Sequence, residues 1–319
     1  MFDIKNEVLI AEKRIRQHVK ETPLDYSIAL SHETKVNVFL KCENLQYTGA
    51  FKVRGAINKL LSLTLSQREQ GIVTASSGNH GAAIAFGLSK LNMKGIVFLP
   101  ENASLTKIEN IRNYTSDLKF YGTDTMQTEI HALEYAKQHN MIYVSPYNDP
   151  QVIGGQGTIG LELTNQLDTI DAVFVPIGGG GLISGIAGYL KSMNPSIKII
   201  GCLPANSPVM AESIKSGKII EMETLPTLSD ATAGGIEPDA ITFEICRQFV
   251  DDYFLVSEEE IKNAIISTIK TQHLLVEGAS GVALAALLKE SKNLQGKNVV
   301  IVLSGANISL DTLKSILVS

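Results

Sequence analysis

Four consecutive glycines, Gly178-Gly179-Gly180-Gly181, stand between the apolar run Ala172-Val173-Phe174-Val175-Pro176-Ile177 and a helical pattern from Leu182 to Ser192. A buried strand that passes through glycines into a helix is a βα joint, and repeated joints of this kind build a parallel sheet flanked by helices. Glycine lets the backbone wrap closely around a bound group, and the helix start behind it presents free N–H groups and the positive end of the dipole. That geometry suits a phosphate. Spacing excludes two nucleotide loops: Gly179-x-Gly181-x-x arrives at Ser184 where a dinucleotide fingerprint needs glycine, and the lysine of a P-loop is missing. A flexible connector is the other reading, but connectors seldom join a buried strand to a helix.

Two further segments carry chemistry. Ser76-Ser77-Gly78-Asn79-His80-Gly81 follows the β-rich Ile72-Val73-Thr74-Ala75 and precedes the small-residue run Ala82-Ala83-Ile84-Ala85. Such a turn aims backbone N–H groups and short hydroxyls at one point, as a carboxylate or phosphate requires; an N-capping serine beside a glycine turn explains the same residues equally well. Tyr47-Thr48-Gly49-Ala50-Phe51-Lys52-Val53-Arg54-Gly55 puts Lys52 behind a glycine turn at the start of an apolar-periodic helix. There the helix dipole and burial both disfavour the ammonium form, and a neutral amine is a nucleophile and a base. A single lysine is more often a surface cation with a snorkelling stem. A reactive lysine, a phosphate cradle and an anion-binding turn together describe a pyridoxal phosphate enzyme acting on an amino acid, because that cofactor needs a Schiff-base lysine and a phosphate site.

The chain resembles the fold-type II pyridoxal phosphate family, in the branch of threonine/serine dehydratases (ammonia-lyases) and serine racemases, across nearly its whole length. The matching stretches are Glu21-Thr22-Pro23-Leu24, Lys41-Cys42-Glu43-Asn44-Leu45-Gln46, the lysine motif, Ser77-Gly78-Asn79-His80, Gly154-Gly155-Gln156-Gly157-Thr158, the glycine loop, Glu277-Gly278-Ala279 and Leu303-Ser304-Gly305-Ala306-Asn307. The resemblance implies a tryptophan synthase β-like α/β fold of two domains, each a mainly parallel twisted sheet flanked by helices. Residues 46–145 would form a small domain carrying the lysine and the Ser-Ser-Gly-Asn-His loop, inserted into a large cofactor-binding domain of residues 1–45 and 146–319. It further implies that Lys52 is the Schiff-base lysine, Phe51 packs beside the pyridine ring, Asn79 bonds the phenolic oxygen and Gly178, Gly179, Gly180, Gly181 and Leu182 hold the phosphate. Ser304 would face the pyridine nitrogen. A neutral hydroxyl there makes the ring a weaker electron sink than an aspartate would, which favours fast β-elimination. Ser76, Ser77, Gly78, Asn79 and His80 would bind the substrate, Lys52 would take the α-hydrogen, and Ser77 would be an acid/base on the opposite face.

The chain departs from the family at several positions. Ala50 stands where serine is usual, so a hydroxyl is missing. Ala306 replaces a glycine and is expected to add a methyl close to the ring. Ile199 to Val209 contains no acidic residue where metal-binding racemases place ligands, so no metal is expected and dehydration is favoured over racemisation. Tyr147 and Asn148 fall in a loop that relatives place near substrate, although a tyrosine in a proline-bounded turn commonly caps a core. Asp230, Gly234 and Gly235 are expected on another wall of the pocket.

Strand patterns at Val38 to Lys41, Ile72 to Ala75, Gly95 to Leu99 and Leu118 to Tyr121 alternate with helical ones at Phe51 to Leu61, Gly81 to Lys90 and Leu105 to Asn113. Ile142 to Val144, Ala172 to Ile177, Lys198 to Leu203, Tyr253 to Val256 and Asn298 to Leu303 read as a second series. With 28 basic against 33 acidic residues and no basic block, nucleic acid is not an expected partner. Neither a signal-peptide pattern nor an apolar run near the roughly 20 residues of a membrane span is present. Three separated cysteines, Cys42, Cys202 and Cys246, read as buried thiols in a reducing compartment, so a cytoplasmic enzyme is expected. The family implies a homodimer or homotetramer. The leading function is conversion of L-threonine or L-serine to a 2-oxo acid and ammonia. The alternatives are serine racemisation with side elimination, dehydration of 3-hydroxyaspartate or phenylserine, β-replacement, and a non-catalytic binding protein. An anionic side chain would want a basic partner, and neither Arg54, behind the lysine, nor Arg112 supplies one. Ser77→Ala is expected to abolish D-serine turnover and spare L-serine; equal loss of both would remove the two-face idea.

Overall fold

The computed structural model describes residues 2–114 and 117–318; Met1, Thr115, Ser116 and Ser319, which fall in the expected domain ranges, lie outside the described residues. Its strands in chain order are β1 (Leu24–Tyr26), β2 (Asn37–Lys41), β3 (Ile72–Ala75), β4 (Gly95–Leu99), β5 (Asp117–Phe120), β6 (Ile142–Tyr143), β7 (Ala172–Pro176), β8 (Lys198–Pro204), β9 (Asp252–Val256) and β10 (Asn298–Val302). They form two sheets, a six-stranded one in the order β1-β2-β10-β7-β8-β9 and a four-stranded one in the order β5-β4-β3-β6. All neighbours are parallel except β1, which runs antiparallel to β2.

Two expectations change. Ile142 to Val144 does not open the second series: β6 closes the four-stranded sheet, with Ile72 opposite Ile142 and Val73 opposite Tyr143. β2, read in the first series, lies in the large sheet beside β10. β1 was not anticipated. Its three residues, Leu24-Asp25-Tyr26, are half-buried or exposed and too short to display a period.

The central strands of the large sheet are covered on both faces, which is why they read as unbroken apolar runs. Val173 and Val175 of β7 pack with Ile183, Ile186 and Leu190, while Phe174 faces Ala283, Leu284 and Leu287. Three helices set the geometry of the interior. The Pro150–Gln166 helix lies against both the Lys52–Ser62 helix and the Gly181–Met193 helix. Glycines make those approaches backbone to backbone: a Cβ on Gly155 would fall 2.6 Å from the Gly55 Cα, and one on Gly185 would fall 2.5 Å from the Gly157 nitrogen.

A buried charge cluster fixes the lysine helix. Arg54 is fully buried and holds Glu43 through Nε and Nη2, both at 2.8 Å, and Glu162 through Nη1 at 2.6 Å and Nη2 at 2.8 Å. Lys41, also fully buried, and Arg16 meet the same Glu162 carboxylate. Burial alone would raise the Glu162 carboxyl, but Arg54 and Lys41 outweigh it and hold the group well below the usual carboxylate range. Among the described residues no helix is long and apolar enough to cross a membrane.

Removing one partner from such a cluster strands the opposite charge in the interior, at a cost of about 3–5 kcal/mol. Arg54→Met is therefore expected to lower the urea midpoint by the equivalent of that loss. A change under about 1 kcal/mol would mean that the cluster contributes no more than a surface pair.

Candidate active site

The carboxyl ends of β3, β6, β7 and β10 lead into a cleft of about 2400 Å³, larger than the 300–1,000 Å³ usual for one small ligand and so roomy enough for two bound molecules. Loops at the carboxyl ends of parallel strands are where such folds place ligands. The residues to which the resemblance gave cofactor or substrate roles line this cleft, Phe51 and Lys52, the loop from Ser76 to His80, Gly178 to Leu182, and Ser304, whereas Asn148 does not.

Lys52 opens its helix directly after the turn at Gly49, whose φ of 70° is the left-handed conformation that glycine adopts without strain. The turn is held from the other side of the cleft: Phe51 N–H donates to the Ser304 carbonyl at 3.0 Å, Ala306 N–H donates to the Gly49 carbonyl at 2.8 Å, and Ala50 bridges Gly305. Lysine and serine are thereby set by one pairing. The Lys52 amine donates to the Pro146 carbonyl at 2.8 Å and sits 5.3 Å from the Phe51 ring centre. Burial pushes it down to about 8, against the pull of Glu129 and Glu277. A poised amine at a helix start is what the sequence argument required.

The glycine loop precedes the Gly181–Met193 helix, with Gly180 as N-cap at φ 87°. These glycines also admit a neighbour: a Cβ on Gly181 would lie 2.9 Å from the Tyr147 Cβ, and one on Gly179 would enter the Tyr147 ring. Tyr147 thus backs the loop while lining the cleft, and its hydroxyl accepts from Glu237 N–H at 2.9 Å. Asp230, Gly234 and Gly235 lie on the wall as expected, with Asp230 paired to Lys107 at 3.0 Å. Ala306 is not among the residues lining the cleft, so its methyl does not trim the space where the sequence reading put it.

The Ser76–His80 turn caps the Asn79–Lys90 helix, with Ser76 Oγ accepting from Gly78 N–H at 3.2 Å. Asn79 Nδ2 donates to both oxygens of Glu277 at 3.0 Å, and its Oδ1 accepts from Asn307 Nδ2 at 2.6 Å. His80 Nε2 lies 3.2 Å from the Val144 carbonyl. A carbonyl only accepts, so Nε2 carries the hydrogen and Nδ1 is a lone-pair acceptor. Burial and the charge of Lys52 push the imidazole down to about 3, so it stays neutral. In this state the His80 ring has no free N–H to offer a carboxylate.

Several acidic residues line the cleft, and among them the sequence reading gave no role to Glu129, Glu237 and Glu277. Glu277 stood in a matching motif; the others carried no signal, because a carboxylate on a polar helix or loop looks like any solvated one. Among the described residues no group of three His, Cys, Asp or Glu side chains converges as a metal site.

Burial pushes Glu277 up from 4.5 to about 7, against hydrogen bonds from Asn79 and Asn307. Between those values the folded chain binds the extra proton, so its stability falls as pH rises through 7. Glu277→Gln removes the titration. The unfolding midpoint of the cofactor-free variant should gain on wild type from pH 5 to pH 8, and a constant difference would return Glu277 to the ordinary range.

Residues 15–305 match the family model described as pyridoxal-phosphate dependent enzyme. The catabolic L-threonine dehydratase of Escherichia coli K12 is 39% identical over 98% of this chain and 95% of its own length. The L-threonine ammonia-lyase of Thermotoga maritima is 39% identical over 96% of this chain and 76% of its own. Among solved structures, processed threonine deaminase isoform 2 of Solanum lycopersicum superposes with a TM-score of 0.94 at 32% identity, over 98% of this chain and 86% of that one. Maize serine racemase gives 0.92 at 32% identity, over 98% and 96%.

Proposed function

The chain belongs to the pyridoxal-phosphate dependent enzyme family, and from that premise we propose that it is a dehydratase (ammonia-lyase) converting L-threonine and L-serine to 2-oxobutanoate or pyruvate plus ammonia. The observation that carries the proposal is the convergence in one cleft of the Lys52 amine, the glycine-rich helix start and the Ser304 hydroxyl. Relatives named for threonine dehydration over nearly the whole chain support it.

The donor set fits the cofactor. Gly178 to Leu182 would hold the phosphate at the start of a 13-residue helix, through backbone N–H groups and the helix dipole. Lys52 would carry the cofactor covalently, Ser304 would face the pyridine nitrogen, Asn79 the phenolic oxygen, and Phe51 one edge of the ring. The bound group supplies an electron sink that acidifies the α-hydrogen of the amino acid. Lys52 Nζ, once the amino group of the substrate has displaced it from the cofactor, would take that hydrogen, helped by burial that keeps part of the free amine neutral near pH 8. Ser76, Ser77 and the N–H groups of the turn up to His80 hold the substrate carboxylate at the Asn79–Lys90 helix start. The His80 ring donates nothing there; its backbone N–H would. Ser77 serves the opposite face, which would admit D-serine elimination or racemisation as a side activity.

We place the boundaries of the inserted small domain at residues 46 and 145, because β3 to β6 form one sheet and the remaining strands the other. We infer a cytoplasmic homodimer or homotetramer; the three buried, unpaired cysteines support a reducing compartment.

The test is release of 2-oxo acid and ammonia by the cofactor-loaded protein from L-threonine and L-serine, with Lys52→Ala beside it. Wild type should turn over both substrates. The variant should lose at least about a thousandfold in rate, together with the visible absorption of lysine-bound cofactor. Loaded wild type that is silent on both amino acids would sink the assignment and favour β-replacement.

A further inference from the structure

The cleft contains acceptors that α-hydrogen removal and carboxylate binding leave unused. Glu129 reaches it from the Thr125–Gln138 helix and Glu237 from the segment ahead of the Ile241–Phe249 helix. Glu237 is held in place, with Ser145 Oγ donating to one oxygen at 3.2 Å and Asn148 Nδ2 to the other at 2.7 Å. Glu129 makes no hydrogen bond or ion pair among the described residues. Burial and the neighbouring charge of Glu237 push Glu129 up to about 7, against the attraction of Lys52. Two carboxylates thus face one space, one of them without a partner.

A third group points the same way. His80 is 3% exposed and lines the same cleft, and its Nδ1 is buried with no hydrogen-bond partner. With Nε2–H given to Val144, Nδ1 can only accept. A buried unmet acceptor and an unpaired carboxylate lining one cleft call for a ligand rich in N–H donors. Few donors of the cleft are free to meet them: among the described residues no arginine lines it, Lys107 is tied to Asp230 and Lys262 to Glu259, Lys52 donates to the Pro146 carbonyl, and Lys218 stands exposed on the rim.

Resting on the dehydratase reading, we propose that Glu129 and Glu237 form a side-chain subsite for an ammonium group. The enzyme would then take, besides threonine and serine, 3-hydroxy amino acids whose side chain ends in a cation. The chemistry is unchanged: water leaves from the 3-position, the 2-amino group is released as ammonia, and the terminal amine stays on the 2-oxo acid product. An ammonium beside Glu129 gains a charge-assisted hydrogen bond in a partly desolvated site. A neutral side chain of equal length leaves that carboxylate unmet, and an anionic one is repelled. The same argument ranks 3-hydroxyaspartate below threonine.

The test compares 3-hydroxyornithine with its neutral counterpart 3-hydroxynorvaline on the cofactor-loaded enzyme, with L-threonine, L-serine and 3-hydroxyaspartate alongside. Wild type should prefer 3-hydroxyornithine by at least about tenfold in kcat/KM, the order expected of one hydrogen-bonded charge. In Glu129→Gln the ratio should fall to about one. Calorimetric binding of ornithine against norvaline reads the subsite without turnover, since neither carries a 3-hydroxyl; ornithine should bind more tightly to wild type and lose that advantage in the variant. Should Glu129→Gln not fold, Glu237→Gln is expected to reduce both preferences. Equal handling of cationic and neutral side chains by wild type, a preference that survives Glu129→Gln, or faster turnover of 3-hydroxyaspartate than of 3-hydroxynorvaline would overturn the subsite. If every hydroxy amino acid is inert, the dehydratase reading fails instead, and the ornithine binding preference alone decides the subsite.

Discussion

The guanidinium of Arg54, two residues beyond Lys52, is clasped by Glu43 from the segment after β2 and by Glu162 from the Pro150–Gln166 helix. A charge so deep in the fold is tolerated only because each of its faces is met: Thr158 takes the donor that the carboxylates leave over, and the Lys20 carbonyl lies 3.3 Å from Nη2. Such a cluster gives little net stability over an apolar core of the same volume. What it supplies here is placement: the lysine helix is tied at its first turn both to the edge of the large sheet and to the helix beneath it. The residues responsible sit inside the matching motifs around Lys41 to Gln46 and Phe51 to Gly55, so those motifs record a structural clamp as much as chemistry.

From that clamp the rest of the cleft follows. The Pro150–Gln166 helix touches the lysine helix at Gly155 and the glycine-loop helix at Gly157. One rigid rod therefore spaces the amine from the helix start that would receive a phosphate. The bridge between Ala50 and Gly305 adds the end of β10, which brings Ser304 into the same arrangement. Asn79 joins last, through Asn307 and Glu277. The polar residues of the site thus bond to one another across the cleft as well as facing it.

Much of this is legible in the sequence itself. Strand-to-helix joints at Ala75 and Pro176 carry strong local signals, because a fully buried parallel strand is an apolar run and its exit turn is rich in glycine and serine. Sheet membership was not readable for β6, since two paired residues cannot say which neighbour they join. Side-chain direction was equally hidden: Ala306 was expected near the ring, and it does not line the cleft. The acidic residues escaped for a different reason. Glu129 and Glu237 are ordinary in sequence and unusual only through what the fold brings beside them. His80 shows a subtler limit, because its position was anticipated while its hydrogen-bonding polarity depended on the Val144 carbonyl.

The glycines of this chain divide into two kinds. Those at Gly55, Gly155, Gly157 and Gly185 are locked by backbone or side chains within van der Waals contact, and any side chain there would move the lysine helix or the helix behind the glycine loop. On the outer wall of the cleft, Gly234 and Gly235 have nothing within 4 Å of where a Cβ would stand. Gly234 needs its left-handed φ of 111°, whereas Gly235 is bound neither by conformation nor by space. Descendants of this sequence can therefore explore new side chains at Gly235 without disturbing the machinery beneath, so diversification of substrate range has an open route on one wall and a closed one on the other.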